Sequence, residues 1–377
     1  MEAGKYVLKA LEASGYEAYF VGGMVRDCLL GLPVADIDVT TSAKPEEVAN
    51  VFEKTYNTGL HHGTVTVLID EVSIEVTTFR IDSDYLDNRR PETVTFTTSL
   101  EKDLIRRDFT INAMAKGVDD QVYDYFAGRE DLKAKVIRAV GNPEERFTED
   151  ALRILRAIRF VAKLGFTIEE ETLKGIVHCR ELMANLSFER IHLELVGILS
   201  GVYKKQALDL IVDLKLFEYV PFLSVLTKFD GFNQISDSLT LYVLTALELS
   251  DPEAFLAAYP FKKEDKKAIQ SIRSIWPKEM DRKLIQYYFG LRAARVYHEV
   301  KSIYDETNDL FKSLELPITT SNDLALKASD LLALFNREPG PWLSETIKTL
   351  EVAVLLEEAN NCRDDLRRYL KSRGLDS

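Results

Sequence analysis

Apolar positions fall into two regimes that meet near Gly141-Asn142-Pro143. Before that point, short apolar or alternating runs are separated by turn residues. They predict strands over 18–21, 37–40, 64–69, 72–79, 94–97 and 122–125. Asp70-Glu71 reads as a tight hairpin between two of them. Helices are predicted over 4–13, 24–30 and 45–56, the last with Ser42 as cap and Pro45 in its first turn. After Pro143, apolar residues recur at spacings of three and four. Leu152, Leu155, Ile158 and Ala162 form one such stripe. Further helices are predicted over 170–179, 188–199, 204–214, 239–249, 252–258, 263–275, 280–289, 293–307, 321–335 and 343–369. The pattern describes an α/β or α+β domain ending near residue 140, followed by an all-α remainder.

Composition narrows the picture. A chain of 377 residues, at roughly 150 per domain, holds two or three domains. Its 18 glycines and 11 prolines are too few for a fibrous or low-complexity chain. Its 48 Lys and Arg against 61 Asp and Glu give a net charge of −13. That excess disfavours sequence-blind RNA binding through a broad positive surface, yet permits a local basic face. Cys28, Cys179 and Cys362 are far apart and show no metal spacing, so a disulfide framework or zinc module is not expected and a reducing compartment fits. The most apolar stretch, 239–249, is far short of the ~20 residues of a membrane span. Glu2 and Glu12, with no long apolar run, argue against an export signal. A cytoplasmic protein with no membrane attachment is the expectation.

Two short motifs carry chemistry. In Asp36-Ile37-Asp38, strand alternation puts both carboxylates on one face, roughly 7 Å apart. Such a pair suits a hard divalent cation, Mg²⁺ or Mn²⁺. Gly22-Gly23 ends a strand and opens a helix, so bare N–H groups can face an anion, with Arg26 one turn further in. A phosphate cradle shortly before a carboxylate pair describes nucleotidyl transfer.

Gly22-Gly23-Met24-Val25-Arg26-Asp27 followed by Asp36-Ile37-Asp38 resembles the signature of the DNA polymerase β-like nucleotidyltransferases. More narrowly, it resembles the class II tRNA nucleotidyltransferases and bacterial poly(A) polymerases. The resemblance implies an α+β catalytic head over 1–140, a neck over 141–200, a helical body over 201–315 and a helical tail over 316–377. It implies Asp36 and Asp38 as catalytic metal ligands holding Mg²⁺. Glu75 is the candidate third carboxylate, a position that equally suits an exposed strand residue. Arg106-Arg107-Asp108-Phe109-Thr110-Ile111-Asn112 resembles the family's ribonucleotide-selecting motif. It nominates Arg107, Asp108 and Asn112 for triphosphate and ribose, beside Gly22, Gly23 and Arg26. Asp131 to Arg138 resembles a hinge motif.

Glu149-Asp150-Ala151-Leu152-Arg153 resembles the family's amino-acid template. Read as one helix, its three charged residues share a face. The Asp150 carboxylate can accept from the exocyclic amine of cytosine or adenine, while the Arg153 guanidinium donates to the adjacent ring edge. Uracil and guanine place a carbonyl against the carboxylate and are rejected. Glu149 would orient Arg153. Arg156 and Arg159 could meet phosphates or stay solvated. Ser187 to Leu195 resembles the last family motif and reads as a brace for the template helix acting through Arg190 and Glu194, with Ser187 as N-cap.

Tyr85 to Pro91 resembles the flexible loop of complete CCA-adding members. Asp330-Leu331-Leu332 with Pro339 to Trp342 resembles a tail that grips the tRNA elbow, although Ala328-Ser329 stands where the family commonly has glycine. The resemblance implies addition of CMP, CMP and AMP to tRNA 3′ ends from CTP and ATP, with the tRNA held at acceptor stem and elbow. An A-adding enzyme or a poly(A) polymerase is the alternative.

Overall fold

The computed structural model describes residues 1–34, 36–59, 63–82, 94–229, 232, 235–307 and 310–374. They form two compact units, Met1–Leu226 and Thr227–Ser377. The loop expected at Tyr85 to Pro91 lies outside the described residues.

The first unit opens with α1 (Glu2–Ala13), β1 (Ala18–Val21), α2 (Gly23–Leu29), β2 (Asp38–Thr41) and α3 (Pro45–Val51). Then come β3 (Thr55–Gly59), β4 (Thr64–Ile69), β5 (Val72–Thr78), β6 (Arg80–Asp82) and β7 (Val94–Phe96). α4 (Leu100–Ile105), β8 (Met114–Lys116), β9 (Val122–Asp124), α5 (Gly128–Ala134) and β10 (Val136–Ile137) complete the α+β part. One mixed sheet has the order β3-β4-β5-β2-β1-β8-β9. β2 is antiparallel to β1 and parallel to β5, which sets Asp38 abreast of Glu75. Alternation buries Val65 and Val67 on β4 and Ile74 and Val76 on β5, leaving Glu75 on the opposite face. Asp70 and Glu71 both have positive φ, 45° and 67°, as a two-residue hairpin between right-twisted strands requires.

The helix expected over 45–56 stops at Val51. Phe52 is extended, and Thr55 and Tyr56, β-branched and aromatic, pair with Val67 and Thr66. The cap is Lys44, whose N–H donates to the Glu47 carboxylate at 2.7 Å. Ser42 is spent elsewhere, accepting from the Glu17 N–H at 2.9 Å.

α6 (Pro143–Glu149), α7 (Leu152–Leu164), β11 (Thr167–Ile168), α8 (Glu170–Cys179), α9 (Phe188–Leu199) and α10 (Lys204–Asp213) follow in the same unit. The expected stripe of α7 is buried, and so are Ile154, Ala157 and Val161 beside it. The reason is that α7 packs against α9 and α10 and also against the α+β part. Phe160 meets Phe109 edge-on with ring centres 5.7 Å apart. β10 pairs in parallel with β11, a second tie between the two parts. The residue-140 boundary therefore falls inside the first compact unit.

The second unit contains α11 (Ser238–Glu248), α12 (Pro252–Ala258), α13 (Lys263–Ile275), α14 (Arg282–Tyr304), α15 (Ala328–Phe335), α16 (Pro341–Leu355) and α17 (Arg363–Ser372). α14 breaks at Gly290, with φ 86° and ψ 167°, in keeping with the two helices expected there. The helix expected over 343–369 is instead two, because Glu357 turns left-handed at φ 61° after α16. That turn folds α17 back, so that Leu366 and Leu370 join Leu331, Leu350 and Val354 in one core. The helix expected over 321–335 starts only at Ala328. Among the described residues no helix is long and apolar enough to cross a membrane.

Candidate active site

A cleft of about 490 Å³ opens in the first unit. The end of β1, the start of β2, the segment after α4, and α7 all contribute to it. Gly22 sits at the turn with φ 68° and ψ −138°, a conformation that favours glycine. A Cβ there would lie 3.3 Å from an Arg107 terminal nitrogen and 3.8 Å from Asp38 Oδ2. The glycine turn, the carboxylate and the guanidinium thus converge on one spot.

Asp38 begins β2 and Asp36 lies two residues earlier; both line the cleft. Burial pushes the Asp38 carboxyl above the usual carboxylate range. Glu75 and Asp36 add to the shift, and Arg107 opposes it. Glu75 is therefore close enough to be felt, but its side chain is exposed and does not line the cleft. Among the described residues no group of three or more His, Cys, Asp or Glu side chains is arranged to hold a metal ion. Two carboxylates, however, are what Mg²⁺ commonly takes from a protein when phosphate oxygens and water complete its shell. The mutual repulsion felt at Asp38 is the kind a divalent cation relieves. The donor set fits such an ion at Asp36 and Asp38.

Arg107 is anchored from behind. Asp103 of α4, fully buried, accepts from Arg107 at 3.2 Å and from Arg106 Nε at 3.0 Å. It also accepts from Thr40 Oγ1 at 3.2 Å. Burial alone would raise this carboxyl, but Arg107 and Arg106 hold it below the usual range. Arg107 Nε is buried with no hydrogen-bond partner among the described residues. Asp103 was not anticipated from the sequence, although its spacing of three and four before two arginines is a readable signal.

The expected ribose group is a closed network. Asp108 accepts from Arg156 Nε at 2.8 Å, from the Phe109 N–H at 2.8 Å and from Asn112 Nδ2 at 3.1 Å. Burial would raise its carboxyl, yet Arg156 and Asn112 bring it down to about 2. Phe109 and Ile111 are fully buried and anchor the segment. Arg26 is only 3% exposed. It donates to Asn112 at 2.7 Å and to Asp27 at 2.8 Å, and it lies 5.0 Å over the Phe160 ring. Lys163 of α7 reaches Asp27 at 2.9 Å and lines the cleft, a cation the sequence reading missed.

The template segment departs from a single helix. α6 ends at Glu149, and Asp150 is extended at φ −146° and ψ 100°. Its Oδ1 accepts from the Leu152 N–H at 3.1 Å, which starts α7 in the manner of a capping aspartate. Its Oδ2 accepts from Arg190 at 2.7 Å. Arg153 bonds Glu149 at 2.8 Å, the Arg146 carbonyl at 3.1 Å and the Arg106 carbonyl at 2.8 Å. The break still leaves Asp150 and Arg153 lining the same cleft. Arg159 meets both oxygens of Glu194 at 3.4 Å. Ser187 is the N-cap of α9, but its hydroxyl makes no cap bond.

Of the residues nominated from the sequence, all line the cleft except Glu75 and Glu149. Eight Arg and Lys side chains face six carboxylates around it. In a chain of net charge −13, this is a local basic site suited to a polyanion.

Known proteins resemble this chain over nearly its whole length. Residues 18–138 match the family described as the poly A polymerase head domain. Residues 165–226 match the probable RNA and SrmB-binding site of polymerase A, and residues 234–370 match tRNA nucleotidyltransferase domain 2. The chain is 38% identical over 398 residues to a CCA-adding enzyme of Geobacillus sp. strain WCH70, covering 98% of this chain and 96% of the relative. It is 37% identical over 386 residues to the CCA-adding enzyme of Bacillus subtilis strain 168, covering 98% and 97%. Among solved structures, the Bacillus stearothermophilus CCA-adding enzyme in complex with CTP superposes with a TM-score of 0.80 at 31% identity, covering 99% and 97% of the two chains. The Thermotoga maritima CCA-adding enzyme complexed with tRNA shares the fold, with a TM-score of 0.67 at 20% identity over 99% and 95%.

Proposed function

The chain belongs to the CCA-adding enzymes, tRNA nucleotidyltransferases that extend tRNA 3′ ends with CMP, CMP and AMP from CTP and ATP, and we propose that the cleft of the first unit is its active site. One observation carries this reading: Gly22, Asp38 and Arg107 converge in a cleft that Asp150 and Arg153 also line.

Asp36 and Asp38 would hold divalent ions such as Mg²⁺, and these would supply activation of the primer 3′-hydroxyl and neutralisation of the leaving pyrophosphate. Arg107, set by Asp103, binds the triphosphate beside the Gly22-Gly23 turn, with Arg156, Arg159 and the deeper Arg26 adding positive charge. Asp108 and Asn112 address the ribose. For a 2′-hydroxyl to meet Asp108, it must share that carboxylate with Arg156. Asp150 accepts from the exocyclic amine of cytosine or adenine, and Arg153, held by Glu149, donates to the neighbouring ring atom. A carbonyl in place of the amine would face a carboxylate with no donor, which rejects uracil and guanine. Glu75 acts from the adjacent strand on the charge of Asp38.

We assign 1–140 as catalytic head, 141–200 as nucleobase-reading neck, 201–315 as body and 316–377 as the tail that meets the tRNA elbow. Free thiols at Cys28, Cys179 and Cys362 accord with a cytoplasmic setting.

The test is a gel assay of product length on tRNA lacking CCA, with CTP and ATP singly and together. Wild type should add three nucleotides, CCA, only with both. Asp38→Ala should lose incorporation by at least about a thousandfold while keeping its circular dichroism. A folded Asp38→Ala with near-normal extension would reject this active site. Long ATP-only tails would instead mark a poly(A) polymerase.

A further inference from the structure

Arg190 was expected to brace the template helix without taking part in nucleotide choice. Its surroundings say more. It stands on α9, far along the chain from the template segment, and reaches back to Asp150 Oδ2 at 2.7 Å. That carboxylate is its single polar partner among the described residues. Its other terminal nitrogen, Nη1, is buried and has no hydrogen-bond partner among the described residues. A buried donor left unpaired costs folding free energy, so a guanidinium placed purely for stability should not carry one. Arg190 also lines the cleft.

Asp150 depends on this contact. Its backbone is extended and its side chain caps α7 through Oδ1 only. Without Arg190, no other hydrogen bond among the described residues holds Oδ2, and the carboxylate can rotate about its terminal torsion, which is broad and weakly restrained. Arg153 does not supply the restraint, because its hydrogen bonds go to Glu149 and two main-chain carbonyls. With one acceptor site on each oxygen used, a second lone pair on each remains for a base.

Building on the assignment of Asp150 as a base-reading acceptor, we propose that Arg190 is a positioning residue for nucleotide choice. It fixes the plane of the Asp150 carboxylate so that a free lone pair points at the exocyclic amine of the incoming base. It thereby sets the preference for cytosine and adenine over uracil and guanine. A carboxylate free to turn can move away from a uracil carbonyl, so repulsion against the wrong base would be the first property lost.

The experiment measures kcat/KM for CTP and for UTP with full-length protein and tRNA lacking CCA. The variants are Asp150→Ala, Arg190→Met, Arg190→Lys and the double Asp150→Ala/Arg190→Met. Arg190→Met should narrow the CTP-over-UTP ratio by about tenfold or more, Arg190→Lys should recover most of it, and the double variant should discriminate no worse than Asp150→Ala alone. A residue that merely braces the fold would lower both nucleotides together. A ratio for folded Arg190→Met within about twofold of wild type, with the Asp150→Ala ratio collapsed, overturns the proposal and leaves the Asp150 assignment standing. An unchanged ratio in Asp150→Ala overturns that assignment and this proposal with it. Arg190→Gln replaces Arg190→Met in the comparison if the methionine variant fails to fold.

Discussion

Asp108 keeps its charge in a buried position because its partners are already in place. Burial alone would favour the neutral acid, yet Arg156 and Asn112 hold the carboxyl at about 2 instead of 3.8. A folded-state value below the unfolded one stabilises the protein above about pH 4, and that contribution fades as the pH falls toward about 2. Its size is on the order of 2 kcal/mol. Asp108→Asn should therefore cost about 2–4 kcal/mol at pH 7, because Arg156 loses the nearer of its charge partners and keeps only Glu194 at 3.9 Å. The difference from wild type should shrink near about pH 3, where the wild-type carboxylate begins to lose its advantage. Urea midpoints of the two proteins at both pH values decide the matter, and a gap that widens in acid would contradict the sign. At this scale the sequence was informative wherever chemistry sat in a short run. The glycine pair, the Asp36/Asp38 pair, the arginine-rich run at 106–112 and the template segment all reach one cleft. It was silent on partners brought together only by folding, such as Lys163 and Asp27, which are 136 residues apart. No local pattern announces a contact of that kind.

The elements were legible where one periodicity ran unbroken. α8, α9, α12 and α13 begin and end where the apolar pattern does. Boundaries failed where a single residue redirects the chain: Phe52 ends α3, Asp150 separates α6 from α7, and Glu357 turns α16 into α17. Charge spacing alone made Glu149 to Arg153 one face of one helix. A capping aspartate at the second position overrode it. The meeting of α7 and α9 shows what such packing does for function. Gly197 on α9 leaves room for Arg159, because a Cβ there would lie 2.6 Å from Arg159 Nε and 2.7 Å from its Cδ. Gly197→Ala gains helix propensity, about 1 kcal/mol, so stability should be kept or raised slightly. Arg159 must nevertheless shift away from Glu194 and from the cleft. The expected outcome is a severalfold higher nucleotide KM, with kcat changed less and an undiminished melting temperature. A large loss of stability would mean that the backbone of α9 moves in place of the arginine.

At the scale of the whole molecule, charge and architecture point the same way. A net charge of −13 cannot attract tRNA from a distance, so affinity must come from local groups. The first unit, Met1–Leu226, holds every residue of the cleft, from Gly22 to Glu194. The second has its own core around Leu331, Leu350 and Leu366. Recognition of the nucleotide and most of the grip on tRNA should therefore be separable. A fragment of residues 1–226 should fold cooperatively and bind CTP within about threefold of the full chain, since every residue that lines the cleft is kept. It should extend tRNA with a KM for tRNA raised at least about tenfold, because the contacts assigned to body and tail beyond residue 226 are gone. Calorimetric CTP binding and extension kinetics on the same fragment test both halves. A folded fragment that no longer binds CTP would show that the cleft needs residues beyond Leu226. A fragment whose KM for tRNA is unchanged would remove the second unit from substrate recognition and leave its core without a role in this reaction.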